Sequence, residues 1–473
     1  MLWIAENLAL ARVPRWLLLG SVLLGLGLYS ALLGIVAASG NILILLALVG
    51  LPLGIVGLSF ATRYFESLVL ALPFTAVFFR FVQLPTGSGS VVPLSLAISL
   101  TLLGIWLASM FVRRRWQVPH TAFNTPLFAF MAVCLISWPW GALWRDPILD
   151  MHIMGNFQVT QIGSLVTLLV SMAVPFLVGR FIDQPWKIWL YLGAFILGGA
   201  LMTGTQFLGI THNFFNDRGL WGLWFCAPVF GLLIAQPGLH WRWRLACIVL
   251  IGWNLYQTVI VNSLWISGWL PSVLGMLGVL FFRSRQVFAI VVLIAALGLA
   301  VGPGRSFIDE VTQENVAEGG LERLGLWEQN WFVVSNHWLF GTGPAGYAAY
   351  NMTYFRFDAR STHNNYLDIL AQFGFSGMFF WLWFTGATLW VAWRTVHEAP
   401  PGLLRTTAMI AGGGWIGGYG AMMLGDWILP FAYNQGIGGF GYTVYSWIFL
   451  GLLIAVREIQ ARSATAPAPV EQP

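Results

Sequence analysis

The residue best suited to acid–base chemistry is His363, which lies directly before a long apolar segment. A neutral imidazole, with an ordinary pKa of about 6.5, can accept a proton from an alcohol near neutral pH. The same position also suits helix capping, with Ser361 or Thr362 as the cap and with His363 and Asn364 satisfying first-turn amides. From the sequence, a general base and a capped helix start are both open interpretations.

Several arginines form a second group of candidate residues. Arg218 precedes an apolar segment, and Arg323 and Arg360 lie in the hydrophilic stretch that contains the histidine. Guanidinium groups stay charged and match phosphate oxygens in pairs, so they are expected where an anionic headgroup binds at a membrane. The alternative is ordinary ion pairing, for example of Arg323 with Glu322 or Glu328.

Two other kinds of site are not predicted. No HxxxH or HExxH spacing occurs, so no metal site is expected, although other candidate ligands also fall in predicted outer loops: His152, His212, His337 and Asp426. The glycine-rich stretch Gly341–Gly346 follows no predicted strand. It therefore indicates a tight turn and not a nucleotide-binding loop.

The composition shows which elements must position these residues. The chain is 58% hydrophobic and 9% charged, whereas an average soluble protein carries about 25% charged residues. Such a chain cannot cover a water-soluble surface, which excludes a soluble enzyme, a disordered chain and a nucleic-acid binder. The apolar segments are long enough for helices and too long for barrel strands. The sequence predicts an all-α polytopic membrane protein.

At about 20 apolar residues per span, the sequence predicts about fourteen transmembrane helices. They cover residues 16–38, 41–60, 65–82, 91–112, 122–142, 159–179, 186–208, 219–236, 243–262, 265–282, 286–303, 364–392, 403–424 and 437–456. The three cysteines fall inside these segments and are expected to be free thiols.

Four regions follow from this layout. Residues 1–303 hold transmembrane helices 1–11, residues 304–363 form one long periplasmic loop with amphipathic helices, residues 364–456 hold helices 12–14, and residues 457–473 form a disordered cytoplasmic tail. Within the loop, apolar residues recur at helical spacing, with a polar face that includes Arg323, Glu328 and Asn330. The apolar stripe consists of Leu324, Trp327, Trp331 and Val334.

The distribution of basic residues predicts the orientation. With the N-terminus in the cytoplasm, 16 of the 23 basic residues lie on the cytoplasmic side, as the positive-inside rule requires. Both termini are then cytoplasmic, and the candidate site lies on the outer face of the membrane.

Three stretches together resemble a known family. Glu322–Gln329, Trp338–Tyr347 and Thr362–Gly377 resemble the signature region of the bacterial O-antigen ligase / Wzy-type polymerase family. Members show an arginine shortly before a tryptophan, then a glycine turn, then an HNxYLxxLxxxGxxG motif. The resemblance implies a GT-C-like membrane glycosyltransferase of the bacterial inner membrane that needs no metal, nucleotide or other cofactor.

The resemblance also implies roles for individual residues. His363 matches the family's essential loop histidine and would be the catalytic base, while Arg218, Arg323 and Arg360 would hold the substrate pyrophosphate. Supporting roles are expected for a further set: Arg305, Arg356, Asn364, Tyr366 and Asp426. One departure is that Asn262–Trp269 lacks the Ser-Arg-Gly found in many members. Either Arg305 or Arg360 substitutes for that arginine, or the headgroup is held differently.

The expected activity is metal-independent, inverting transfer of a glycan from an undecaprenyl-pyrophosphate carrier to a sugar hydroxyl. The acceptor is lipid A–core in a ligase and another lipid-linked repeat in a polymerase; fourteen spans favour a polymerase, because twelve are common in ligases. Expected partners are these glycolipids, membrane lipids and a chain-length regulator, with no nucleic acid. The alternatives are a transporter or flippase of lipid-linked oligosaccharide and a passive scaffold.

Overall fold

The computed structural model describes residues 57–85, 91–151, 155, 157–210, 220–262, 265–301, 304–306, 309, 313, 321–355 and 360–465. The helices there are α1 Phe65–Phe78, α2 Leu94–Arg113, α3 Asn124–Leu143, α4 Phe157–Phe181, α5 Pro185–Phe207, α6 Trp221–Ala235, α7 Trp241–Leu255, α8 Ile266–Arg283, α9 Arg285–Ala300, α10 Leu321–Asn336, α11 Tyr347–Tyr354, α12 Asn365–Glu398, α13 Leu403–Ala421, α14 Ala432–Gln435 and α15 Phe440–Thr465. A π-helical segment, Tyr256–Val261, extends α7.

The all-α polytopic class predicted from the sequence is confirmed. Eight described helices are long and apolar enough to cross a membrane, and three shorter ones, α1, α6 and α9, are also apolar. Each of the last twelve predicted spans overlaps one described helix. The span 16–38 and most of the span 41–60 lie outside the described residues, so the total of fourteen stays a prediction.

Three boundaries differ from the prediction. After α1 the chain forms a short antiparallel hairpin, β1 Gln83–Pro85 and β2 Val91–Pro93. The sequence did not predict these strands, because such short segments show no alternation of apolar and polar residues. Helix α12 continues six residues past the predicted end. Helix α15 runs to Thr465, so residues 457–465 of the predicted disordered tail are helical. The remainder of the tail lies outside the described residues.

The helix α15 lies at the centre of the bundle. Its apolar segment is 94% buried, the highest value among the candidate spans of the described residues. Indole rings pack around it: Trp224 stacks on Phe449 at 4.3 Å between ring centroids, and Trp415 meets Trp447 edge-on at 5.5 Å. These large side chains fill the core between α6, α13 and α15, as close packing requires.

Ion pairs connect several helix ends in two groups. The Lys187 ammonium contacts Glu66 and Asp183, and Arg462 reaches Asp183 at 3.5 Å. A second group joins Arg394, Glu398 and Arg457. All the basic residues involved belong to the set predicted to be cytoplasmic, so the predicted alternation of the helices is consistent with these contacts. The orientation itself stays a prediction.

The loop helix α10 exists as predicted, but its buried face is different. Leu324 and Trp331, assigned to the apolar stripe, are each more than half exposed. Asn330, assigned to the polar face, is fully buried. The packed side of α10 is instead formed by Leu326 and Val333, which the predicted stripe left out, and by Val334, which it included. Tertiary contacts of the loop, which periodicity alone cannot show, decide the face.

A break in α12 connects the loop to the bundle. Gly374 has φ 65° and ψ −167°, a conformation that is available essentially only to glycine. The break frees carbonyl groups, and the predicted glycine turn binds them: the N–H groups of Thr342 and Gly343 donate to the carbonyls of Ala371 and Gln372 at 2.9 and 3.0 Å. The tight turn predicted for Gly341–Gly346 is confirmed, and its partner is the kink of α12.

Candidate active site

The His363 side chain sits on a strained turn at the start of α12. Its backbone φ is +51°, a left-handed value that is uncommon for residues other than glycine. The Ser361 hydroxyl accepts a 3.3 Å hydrogen bond from the His363 N–H. Because strained residues cluster at functional positions, this backbone supports a functional role for the histidine.

The capping role falls to Asn364 and not to Ser361 or Thr362. The Asn364 side-chain oxygen accepts from the N–H groups of Tyr366 and Leu367 at 3.0 and 3.4 Å. It therefore satisfies the helix start, which leaves the His363 ring without a capping duty. The sequence left open a general base and a capped helix start. The cap is Asn364, the neighbour of His363.

The next residue, Asn365, fixes a second segment beside the histidine. Its buried side chain donates to the carbonyl of Leu429 at 2.7 Å and accepts from the N–H groups of Ile428 and Leu429 at 3.1 and 3.2 Å. These bonds hold the connection between α13 and α15 against the start of α12. That connection contains Asp426, so Asn365 determines where this carboxyl group lies.

Two buried carboxyl groups meet beneath the turn. Asp368 and Asp426 are each 2% exposed, and the negative charge of Asp368 acts on Asp426. Burial, then the charge of Asp368, raises the pKa of Asp426 well above its usual range, whereas a hydrogen bond from Ser361 opposes the rise. Asp426 is therefore the protonated partner.

Further hydroxyl groups hold Asp368 in place. Tyr347, from α11, donates to Asp368 Oδ1, and the Thr362 hydroxyl lies 2.8 Å from the same oxygen. The Tyr347 ring stacks on Phe431 at 4.6 Å between centroids. Burial and the charge of Asp368 keep the pKa of Tyr347 well above its ordinary value, so it remains a donor. The loop helix α11 thus completes the support beneath the histidine turn.

Two of the predicted arginines lie close enough to His363 to change its charge state. Burial is the largest cause that lowers the pKa of His363, followed by the positive charge of Arg323; Asp368 opposes the effect and Arg360 adds to it. The imidazole is therefore neutral at neutral pH, the form that accepts a proton.

The position of Arg323 follows from the packing of α10. The Trp327 indole donates a 3.0 Å hydrogen bond to the carbonyl of Thr362, directly before the histidine. Arg323 lies four residues earlier and therefore on the same side of the helix. Of the two acidic residues expected to pair with Arg323, Glu328 is exposed and forms no ion pair with it within the part of the chain that the structure describes. The side chain of the other, Glu322, is outside the part that the structure describes.

The remaining predicted residues divide into three groups. Tyr366 donates a 3.0 Å hydrogen bond to the carbonyl of Tyr419, so it joins α12 to α13. Arg305 is exposed and is not among the charges that shift the pKa of His363. Arg218 and Arg356 lie outside the described residues.

Sequence reasoning missed three residues of this site, Asp368, Asn365 and Tyr347. Asn365 and Asp368 follow His363 at positions +2 and +5, where a capped helix start turns them toward the preceding loop. That spacing was a usable signal. Tyr347 had no such signal, because its contact with Asp368 depends on how the loop folds back.

Comparison with known families agrees with this geometry. Residues 255–382 match the family model described as O-Antigen ligase. The matched segment begins near the end of α7, includes α10, α11 and the His363 turn, and ends inside α12. No curated protein matches the chain. By this match, residues 255–382 of this polytopic membrane protein are similar to the O-antigen ligase domain, which supports the resemblance to the O-antigen ligase / Wzy-type family.

Proposed function

We propose that the protein is a membrane glycosyltransferase that moves a glycan from an undecaprenyl-pyrophosphate carrier to a sugar hydroxyl group. The observation that carries the proposal is the half-buried His363 on its left-handed turn, whose pKa is lowered by burial and by the charges of Arg323 and Arg360. A base next to two cations fits an alcohol that must lose a proton while a diphosphate departs.

The imidazole of His363 is proposed to remove the proton of the acceptor hydroxyl. General-base catalysis contributes roughly 10²–10⁴-fold to such a step. The acceptor oxygen then attacks the anomeric carbon. The bond between that carbon and the pyrophosphate oxygen breaks, and its electron pair leaves with the diphosphate. Asp368, which raises the pKa of His363, would stabilise the imidazolium that forms.

The arginines are proposed to bind the leaving diphosphate. Arg323 and Arg360 supply planar donor pairs that match phosphate oxygens and stabilise the charge that develops in the transition state. In the free protein their positive charges disfavour a protonated His363. A bound diphosphate would cancel that effect, so the histidine becomes a stronger base when the donor is in place.

The chemistry proposed needs no metal ion or nucleotide, because the donor already carries an activated pyrophosphate. Attack opposite the leaving group predicts inversion at the anomeric carbon. Polymerase and ligase share these steps and differ in the acceptor. The fourteen predicted spans favour a polymerase, whose acceptor is a second lipid-linked repeat.

The test is a deletion strain complemented with wild-type or His363→Ala protein, with mass spectrometry of its lipid-linked glycans. The variant should reach the membrane in normal amounts and show no glycan transfer. Accumulation of single lipid-linked repeats identifies a polymerase, and accumulation of long untransferred chains identifies a ligase. Normal transfer by His363→Ala would overturn the proposed base, and transport of a labelled glycolipid by purified protein would favour a flippase.

A further inference from the structure

A second cavity lies where the segment after α3 meets the loop helices α10 and α11. It measures about 280 Å³. Its lining combines aromatic rings, among them Trp144, Phe332 and Tyr354, with hydrogen-bonding groups, among them Asp146, His337 and Tyr350. None of these residues has a part in the proton transfer or the diphosphate binding proposed above.

The walls of this cavity present aromatic faces to the outside. Trp144 is 62% exposed, Phe332 is 42% exposed and Tyr354 is 39% exposed. Phe332 and Tyr354 meet edge-on at 5.2 Å between centroids, so their arrangement is fixed by mutual contact. Rigid amphipathic rings of this kind suit a ligand with both apolar C–H faces and polar groups.

The floor of the cavity holds fixed donors and acceptors. Tyr354 donates to Asp146 Oδ2, and the Asp146 N–H donates to the Tyr350 hydroxyl at 3.4 Å. The hydrogen bond from Tyr354 lowers the pKa of Asp146, so this carboxyl is ionised and accepts hydrogen bonds. His337 packs against Tyr350 at 4.7 Å, and burial lowers its pKa, so it is neutral.

The charges of the lining favour a neutral ligand. Arg145 and Asp146 are adjacent and opposite in sign, and His337 carries no charge at neutral pH. A phosphate group would meet the Asp146 carboxylate, whereas hydroxyl groups could donate to it and accept from neighbouring groups. Aromatic walls over a floor of fixed acceptors and donors therefore indicate a carbohydrate ring.

The cavity is connected to the candidate active site through α11. Tyr347 contacts Asp368 beneath the histidine turn, and Tyr350, one helical turn later, contacts Asp146 at the cavity. These positions are about 4.5 Å apart along the axis, at roughly 1.5 Å per residue. A glycan with one end near His363 could therefore reach the cavity with a neighbouring sugar.

We propose that the cavity around Asp146, Phe332 and Tyr350 is a sugar-binding subsite for the glycan substrate. The assignment rests on the proposed function, because the substrate there is a glycan. The subsite recognises sugar hydroxyls and ring faces, and it acts separately from the arginines that bind the diphosphate.

The experiment uses the purified full chain in lipid nanodiscs and two probes, titrated by calorimetry. One probe is the lipid-free oligosaccharide released by mild acid from the surface polysaccharide of the source strain. The other is inorganic pyrophosphate. The cavity variants are Phe332→Ala and Asp146→Asn, and the matched control is Trp331→Ala, the exposed neighbour on α10 that does not line the cavity.

Both cavity variants should weaken oligosaccharide binding at least tenfold and raise KM for glycan transfer more than they lower kcat, while Trp331→Ala stays at wild-type values. Pyrophosphate binding should be unchanged by Phe332→Ala and weakened by Arg323→Gln. Absence of oligosaccharide binding to the wild type, or equal binding by cavity and control variants, would overturn the subsite. His363→Ala should still bind the oligosaccharide, and if it also retained transfer, the proposed function would fail instead.

Discussion

The Trp327 indole donates a 3.0 Å hydrogen bond to the carbonyl of Thr362, the residue before His363. This bond joins the loop helix α10 to the turn that presents the imidazole. It also brings Arg323, one helical turn earlier, to the same side as the histidine. The base and a phosphate-binding cation are thereby held by one contact.

Trp327→Phe should therefore impair transfer although Trp327 contacts no reacting group. The ring would keep much of its packing but lose the donor, leaving the Thr362 carbonyl without this partner. We expect a fall in kcat of about tenfold, because small displacements of reacting groups lower rates strongly. The control is Trp338→Phe, an exposed tryptophan of the same loop. Equal activity of the two variants would show that the bond does not position the site.

The charge of Arg323 should be visible in the pH profile of transfer. Its positive charge lowers the pKa of His363, and so does burial. Removal of that charge in Arg323→Gln raises the pKa, so the acid limb of kcat/KM should move to higher pH. Arg323→Lys keeps the charge, so its limb should stay near that of the wild type while kcat/KM falls, since lysine lacks the planar fork.

The profile is measured as initial rates of glycan transfer between pH 4.5 and 8. An acid limb at the same pH in wild type and Arg323→Gln would separate Arg323 from His363 electrostatically. A lysine variant with full activity would contradict bidentate binding of the diphosphate.

The raised pKa of Asp426 should make stability depend on pH. The pKa of Asp426 is raised in the folded protein above the ordinary value of about 3.9. The folded state therefore holds a proton that the unfolded state has released, and this contribution to stability is lost as pH rises through the folded pKa. Asp426→Asn carries a neutral donor at every pH, so its thermal midpoint should fall less than that of the wild type toward alkaline pH.

Thermal unfolding in detergent between pH 5 and 9 measures this difference. Glu328→Gln, a change at an exposed acid of α10, should follow the wild-type curve. Parallel curves for wild type and Asp426→Asn would mean that the pKa of Asp426 is not raised in the folded protein.

The break at Gly374 should tolerate no side chain. A Cβ atom there would lie 2.4 Å from the Leu339 carbonyl oxygen, and its φ and ψ strain any other residue by about 1–3 kcal/mol. Gly374→Ala should therefore destabilise the protein and reduce transfer. Gly386→Ala lies on the same helix with open space around it, so it should be neutral. Thermal midpoints of the two variants in one detergent give the comparison, and similar values would contradict the role of the break.

The sequence was most informative about apolar helices and least informative about how the loop packs. Long apolar runs predicted α2, α4 and α15 because burial in lipid requires many consecutive apolar residues. The face of α10 was wrong, with Asn330 buried and Trp331 exposed, because contacts with other segments select the buried side. The spacing of apolar residues along α10 does not indicate which other segments contact the helix.

The candidate site shows the same division. His363 was recognisable because a histidine preceded an apolar helix within a family-like motif. Asp426 lies in the segment between α13 and α15, some sixty positions later in the chain. Three hydrogen bonds from the Asn365 side chain hold that segment against the start of α12. Spacing along one segment cannot reveal contacts between two distant segments.

The docking of the glycine turn into the interrupted helix has a consequence for biogenesis. The carbonyls of Ala371 and Gln372 obtain donors only when residues 342 and 343 arrive. In a bilayer, an exposed peptide oxygen is energetically unfavourable because water is absent. Helix α12 therefore reaches its final form only together with the loop that precedes it, so membrane insertion and assembly of the reaction centre are coupled steps of one maturation process.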